Sequence, residues 1–340
     1  MRSWVVTAPA PRGEFDGIGD YASLLAAALH PIQPTQLVVG DRDPLPAVAD
    51  IAGVLHQYSP HAASQVFDRW LHVVAAQGVP IVVMVHEYWP TASWSPRRLI
   101  LRWQNRRRLV TLLRLASAVI VAEEIYRREL QAARVCGEKT IHVIPVGSNI
   151  TRGGTAPLRD GGLVLFAQPA AFRSEHLAAL AAWLSESADR PQLTWIARSL
   201  DELQRAWRDV APPGSPAVRL VGGAGELVVS ELLMHATVGV APYANGASGR
   251  RGTLAAMLQH GVPLVTTTGI STDSWLQTSQ AIVGVADDDP AAFVNAVVAL
   301  LRDDGARRQL SRNAEALYEA HMAWPRLAEQ YVVVMNEAVR

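Results

Sequence analysis

The sequence predicts an α/β fold built as two doubly wound parallel sheets. Three observations lead there. Short apolar runs bounded by Gly, Pro or polar residues alternate with helically spaced segments along the whole chain, the sequence form of repeated β-α units. Hydrophobic residues make up 49% and charged residues 18%, with Ala, Val and Leu prominent, as expected of helices laid over strands buried on both faces. At 340 residues the chain exceeds one ordinary core, so two domains are expected.

Taken in order, strands are expected near 3–8, 36–39, 51–56, 80–86, 117–122 and 140–145 in the first half. In the second half they fall near 162–167, 193–197, 217–221, 237–241, 263–267 and 281–285. Between the two series, residues 148–162 carry Gly153-Gly154, Pro157 and Gly161-Gly162 with little apolar content, which marks an exposed connection. The boundary is placed there, giving an N-terminal domain over 1–155 and a second domain over 156–324. Helical patterns cover 290–302 and 306–319, and Trp324-Pro325 restarts a last helix. That helix, 325–340, is expected to pack back on the N-terminal domain. In open parallel sheets ligands sit beyond the carboxyl ends of the strands, so two such sheets facing each other would leave one deep cleft lined by the loops that follow strands.

Charge and cysteine content narrow the classes. With 31 basic and 31 acidic residues the net charge is zero, so no overall field would gather nucleic acid, and an anion site would have to be local. Cys136 is the only cysteine, which excludes an intrachain disulfide and a cysteine metal cage and fits a reducing cytoplasm. The N-terminus enters a short apolar strand and then meets Pro9 and Pro11, without the longer apolar core of a signal peptide. The weakly charged stretch 252–271 is broken by Gly261 and Pro263 and reads as helix, turn and strand, not as a membrane span.

The strongest local signal runs from Ala241 to Ala256 and on to Thr267. It reads as strand, Gly-rich loop, helix, tight turn and strand. Ser248 is a candidate N-cap, Gly249 and Gly252 permit close backbone approach, and the amides of the first helical turn through Thr253 would point at an anion. Arg250 and Arg251 beside them could bind phosphate oxygens bidentately. On the residues alone, a surface turn with a solvated arginine pair fits equally well.

This segment resembles the donor-binding stretch of glycosyltransferase family 4, in the branch that reads Gly-Ala-Ser-x-Arg-Arg-Gly-Ser/Thr-Leu and continues into His-Gly-x-Pro-Val-Val-Thr-Thr. Here Gly246 to Leu254 and His260 to Thr267 occupy those places. Phe15-Asp16-Gly17-Ile18-Gly19-Asp20-Tyr21 resembles the family's N-terminal glycine loop, and Val83-Met84-Val85-His86-Glu87 its strand ending in His. Residues 118–124 and 143–147 fit the family's places before the linker, and Met322-Ala323-Trp324 precedes the returning helix.

The resemblance implies the two-domain GT-B architecture and a hexosyltransferase that moves a sugar from a nucleotide-diphosphate donor to an acceptor hydroxyl, with retention. The nucleotide sugar is then a co-substrate, and no cofactor or metal is expected, since arginines and a helix N-terminus can stabilise a leaving diphosphate without a divalent cation. It also implies a donor or acceptor contact for His86, an acceptor role for Glu87, a glycine loop over Gly17, Ile18, Gly19 and Asp20, and diphosphate contacts from Arg173 and from Ser248 to Thr253. The acceptor would be a saccharide, a lipid-linked molecule or a small molecule, and no nucleic acid is expected as a partner.

The sequence also departs from the family. Aligned on Gly261-Val262-Pro263, the family's two glutamates seven residues apart become Ser248 and Ala256, and its Gly-Arg…Lys-Gly stretch becomes Ala167 to Ser174, where Arg173 stands in for the Lys. These departures leave two other readings open: a GT-B-like partner or binding protein without activity, and a nucleotide-sugar epimerase or hydrolase.

A separate feature is Trp94 to Arg114, with Arg97, Arg98, Arg102, Arg106, Arg107, Arg108 and Arg114 and no acidic residue. A solvated helix face is the simpler reading of such a run. The alternative is peripheral contact with an anionic membrane, at the inner membrane face, or with a phosphorylated acceptor.

Overall fold

The computed structural model describes residues 2–9, 17–40, 42–60, 64–87, 96–154, 157–187, 191–215 and 218–340, and for 96–99, 101 and 102 the backbone alone. The chain divides into two compact units, Met1–Val146 with Trp324–Arg340, and Gly147–Ala323.

The first unit runs β1 (Ser3–Ala8), α1 (Gly17–Leu29), β2 (Thr35–Val39), β3 (Ile51–Tyr58), α2 (Gln65–Ala76), β4 (Ile81–Val85), α3 (Pro96–Leu115), β5 (Ala118–Val121), α4 (Glu124–Ala132) and β6 (Ile141–Val143). Its strands form one parallel sheet in the order β2-β1-β3-β4-β5-β6. The central strands are apolar and buried along their whole length, as a sheet covered on both faces requires. Val54, Val83 and Val119 look toward Leu71, Leu109 and Leu113 of α2 and α3, whereas Leu55, Val82 and Ile120 look toward Leu25 of α1 and a helix from the far end of the chain.

The second unit begins with Gly147–Gly154, which hydrogen-bond into it. Thr151 N donates to Glu226 Oε1 at 2.6 Å and Gly153 N to Ser230 Oγ at 3.1 Å. The unit continues with β7 (Leu163–Phe166), α5 (Ser174–Glu186), β8 (Leu193–Ala197), α6 (Leu200–Val210), β9 (Arg219–Gly222), α7 (Glu226–His235), β10 (Val238–Ala241), α8 (Gly252–Gln259), β11 (Leu264–Thr268), α9 (Ser274–Gln277), β12 (Ile282–Ala286), α10 (Pro290–Arg302) and α11 (Asp304–His321). The second parallel sheet has the order β12-β11-β10-β7-β8-β9. Helix starts follow local chemistry: Asp289 Oδ1 accepts from Ala292 N and Asp303 Oδ1 from Ala306 N, both at 2.8 Å, and Pro290 opens α10.

The last helix, α12 (Trp324–Val339), belongs to the first unit. Leu327, Tyr331, Val334 and Met335 are buried against α1 and the sheet, and the Tyr331 and Tyr21 hydroxyls hydrogen-bond at 2.9 Å. All twelve expected strands are present within a few residues of their expected positions.

Candidate active site

In the second unit, the four neighbouring strands β12, β11, β10 and β7 each deliver a loop at their carboxyl ends, and these loops interlock. The loop after β10 turns at Asn245 and Gly246, with φ of 68° and 95°. A Cβ at Gly246 would lie 2.2 Å from Thr272 Oγ1 and 2.5 Å from Gly269 N, so only glycine lets the loop after β11 approach. Ser271 N donates to Asn245 O, and Gly249 N donates to Asp273 Oδ2 at 2.6 Å. The loop after β7 joins from the other side through Arg173 N to Pro242 O and Ala244 N to Ala171 O.

Within this assembly, the helix predicted to follow the Gly-rich loop is α8, but it starts at Gly252 with Arg251 at the N-cap. Ser248, expected as the cap, is four residues upstream and makes no side-chain cap bond. Its backbone carbonyl instead accepts from Arg251 N, closing a turn ahead of the helix. The Ser248 hydroxyl is fully buried and has no hydrogen-bond partner among the described residues. Gly252, Thr253 and Leu254, as the first three helical residues, carry amides with no intrahelical acceptor. The Gly249 amide, expected to face an anion, is instead taken by Asp273. The Arg251 guanidinium lies 4.8 Å over the ring of buried Tyr243, whose hydroxyl is 3.0 Å from Thr253 Oγ1. Burial raises the Tyr243 phenol, so it stays protonated and can bridge the loop to the helix.

Arg173 is brought to the same edge, at the N-cap of α5, and pairs with Asp287 at 2.9 Å. Asp287 begins an acidic run, Asp287-Asp288-Asp289, at the end of β12. The first of these is committed to Arg173 and the third caps α10. Among the described residues no group of three His, Cys, Asp or Glu side chains could hold a metal ion. Ala256, on α8, is fully buried in the core of the second unit, where the family's second glutamate would have placed a carboxylate.

In the first unit, Gly17, Ile18, Gly19 and Asp20 form the first turn of α1 and not a loop; Phe15 and Asp16 lie outside the described residues. The next residue, Tyr21, presents its ring edge to His86 at 4.9 Å between centroids. His86 follows β4, as expected, and its Nε2 is 2.8 Å from Oε1 of buried Gln57 at the end of β3. Burial lowers the His86 imidazole to about 4, so at neutral pH it is an uncharged hydrogen-bonding group. Nε2–H donating to Gln57 leaves Nδ1 as the acceptor nitrogen. Glu87 lies beside it, with Ser59 Oγ donating to Glu87 Oε2 at 3.4 Å.

The sequence pattern did not pair His86 with Gln57, the Gly249 amide with Asp273 or Arg173 with Asp287. Gln57 and Asp273 follow expected strands 51–56 and 263–267, so a search of every loop at a strand end would have reached them. Of the basic segment, Trp94 and the side chains of Arg97, Arg98 and Arg102 lie outside the described residues.

Residues 22–152 match the family model described as Glycosyltransferase Family 4. A search of curated proteins gave no match. Among solved structures, the chain is similar to a sucrose-phosphate synthase from Thermosynechococcus elongatus, at 15% identity and a TM-score of 0.71, with 99% of each chain covered. It is also similar to an α,α-trehalose-phosphate synthase (UDP-forming) from Burkholderia xenovorans in complex with glucose-6-phosphate, at 12% identity and a TM-score of 0.66, covering 99% of this chain and 100% of that one. A third likeness, at 10% identity and a TM-score of 0.66 with 98% of each chain covered, is to an E. coli structure titled trehalose-6-phosphate and bound with UDP-2-fluoro glucose. At these identities the likenesses establish the fold, two parallel six-stranded sheets of the GT-B type.

Proposed function

We propose that this chain, a family 4-like glycosyltransferase of the GT-B type, moves a sugar from a nucleoside-diphosphate donor to an acceptor hydroxyl with retention and without a metal ion. The observation that carries the donor half is the N-terminus of α8. Arg250 and Arg251 directly precede the open amides of Gly252 to Leu254, and the Ser248 hydroxyl, buried and without a hydrogen-bond partner among the described residues, lies four residues ahead of the helix. Helix dipole, open N–H groups and guanidinium charge all favour the same anion, and together they can carry the charge that develops as a diphosphate leaves. Arg173, held by Asp287 at the neighbouring strand end, is the third cation of this edge.

His86 and Glu87 form the acceptor half. A neutral imidazole whose Nε2–H is engaged by Gln57 offers Nδ1 to a sugar or acceptor hydroxyl, and Glu87 offers a carboxylate beside it. Two of the structural relatives are titled with a glucose phosphate or a UDP sugar, which supports a saccharide-type acceptor and a nucleotide-sugar donor. No described helix is long and apolar enough to cross a membrane. The reading places the protein in the cytoplasm, with the acceptor reached from that side.

Calorimetry tests the donor site. A charge-assisted contact contributes roughly 1.5 to 3 kcal/mol, so Arg250→Ala or Arg251→Ala should weaken nucleoside-diphosphate binding by about tenfold to over a hundredfold. The unphosphorylated nucleoside should bind as before, and the wild-type titration should be unchanged in excess EDTA. If both variants hold the diphosphate as tightly as the parent, the site lies elsewhere; if EDTA abolishes binding and Mg²⁺ restores it, the metal-free reading is wrong.

A further inference from the structure

Helix α3 of the first unit has two chemically different sides. The helix is anchored by Leu109, Leu112 and Leu113, which are buried against the sheet, and by Arg108, which chelates Asp68 with its Nε at 2.7 and 2.9 Å and lies over the Tyr58 ring. The opposite side of the same helix is of a different kind. Ile100 is 58% exposed and Trp103 56% exposed, one turn apart. Arg107 stacks on the outer face of Trp103 at 4.6 Å, and Arg106 and Arg114 are exposed along the same side. Arg134, held at φ 51° just after α4, closes the far wall of a groove lined by Trp103, Arg106, Arg107 and Arg114.

What sets Ile100 and Trp103 apart from other exposed apolar side chains is their place, one turn apart within an otherwise cationic stripe. Helix residues 96–115 contain no acidic side chain to offset the arginines. The acidic neighbour in the adjoining hollow is Glu138, next to Lys139, whose ammonium is engaged by the carbonyls of Leu113 and Arg114. Neither a small anion nor an acidic peptide calls for exposed Ile and Trp at one end of a cationic groove, whereas a bilayer interface does: indole and isobutyl-sized groups enter the headgroup boundary while guanidinium groups meet phosphates.

We infer that the α3–α4 face docks on an anionic lipid bilayer, with Ile100 and Trp103 entering the interface and Arg106, Arg107, Arg114 and Arg134 binding lipid phosphates. The whole protein has no net charge, so the attraction is confined to this face and fixes the orientation of the first unit on the membrane. The inference is independent of the sugar-transfer reading, because adsorption is measured without turnover.

The test is co-sedimentation of the full chain with vesicles of phosphatidylcholine alone and with phosphatidylcholine–phosphatidylglycerol vesicles. Binding is expected on the mixed vesicles at low salt, with little on the neutral ones and loss at high salt. Each arginine near the surface contributes about fivefold in partitioning, so the quadruple Arg106, Arg107, Arg114 and Arg134→Gln variant should partition at least a hundredfold more weakly. Ile100→Ser with Trp103→Ser should weaken binding while keeping its salt dependence. A control that converts exposed Arg205, Arg208, Arg308 and Arg312 of the second unit to Gln should bind as the parent does. Equal sedimentation with both vesicle types, or a quadruple variant that binds like the parent, overturns the inference. Release by inorganic phosphate at constant ionic strength also overturns it, since that outcome marks a small-anion site.

Discussion

At the scale of single residues, chemistry written in the side chain was legible and pairing was not. Arg173 could be picked out as a cation near the donor edge, but its partner Asp287 is more than a hundred residues away and is joined to it only by sheet order. Ser248 was legible as a polar residue at a helix start, yet the chain makes one extra turn before α8 and leaves the hydroxyl buried instead of capping. Buried histidines illustrate the same limit. His260 is fully buried, its Nδ1 2.7 Å from Ala256 O and its Nε2 2.9 Å from Ser230 Oγ, whose oxygen also accepts from Gly153 N. Burial, the dominant cause, lowers its imidazole from 6.5 to about 4. The folded state therefore refuses a proton that the unfolded chain binds. Stability from this group is fully present above pH 6.5, declines as pH falls, and is lost by about pH 4. At about 1.4 kcal/mol per pH unit, roughly 3 kcal/mol disappears across that window. Urea unfolding of wild type and His260→Gln, followed from pH 7 to about 4, should give a shallower acid slope for the variant; parallel slopes would refute the assignment.

At the scale of elements, strand positions were readable because buried parallel strands are short, apolar and sharply punctuated, as in Ile81–Val85 and Leu264–Thr268. Loop interlocking was not readable, because it depends on which strands are neighbours: β10, β11 and β12 follow one another in both sequence and space, but β7 joins β10 across a long crossover. Gly246 and Gly269 are the hinge of that assembly, since the lack of a side chain at each lets the loops after β10 and β11 touch. A Gly246→Ala substitution has to adopt φ near 95° and displace Thr272 and the Gly269 backbone. Such positions typically cost on the order of 1 to 3 kcal/mol. The expected outcome is a loop forced off Asp273 and Ser271, with nucleoside-diphosphate affinity reduced at least tenfold and a smaller change in melting temperature. Unaltered affinity would show that the donor subsite does not depend on the interlock.

At the scale of the whole molecule, the chain is two cores, and the first is completed by a helix from the far end of the sequence. The final helix could be read from the restart at Trp324-Pro325, and its home in the first unit was implied by family resemblance; periodicity alone could say only that it has an apolar side. The packing is specific: Leu327, Tyr331, Val334 and Met335 cover α1, and the Tyr21–Tyr331 hydroxyl pair is buried within the contact. Trp324 adds a ring contact to Tyr21 at 5.2 Å, the same tyrosine whose edge holds His86. Removing residues 324–340 uncovers an apolar face where each lost side chain is worth roughly 1.5 to 3 kcal/mol, so four of them approach the whole stability of an ordinary domain. The second unit loses no core residue by the same cut, since its core ends at Met322 and Ala323. A chain ending at Ala323 should therefore show rapid amide exchange in α1 and at His86, and no sugar transfer. Its nucleoside-diphosphate affinity should stay within about twofold of the full chain, because Arg250, Arg251 and α8 belong to the second unit, whose core the cut leaves intact. Hydrogen exchange and calorimetry on the same preparation decide it: protection retained throughout α1 would mean that α12 is not part of that core, and loss of diphosphate binding would mean that the donor site draws on the first unit.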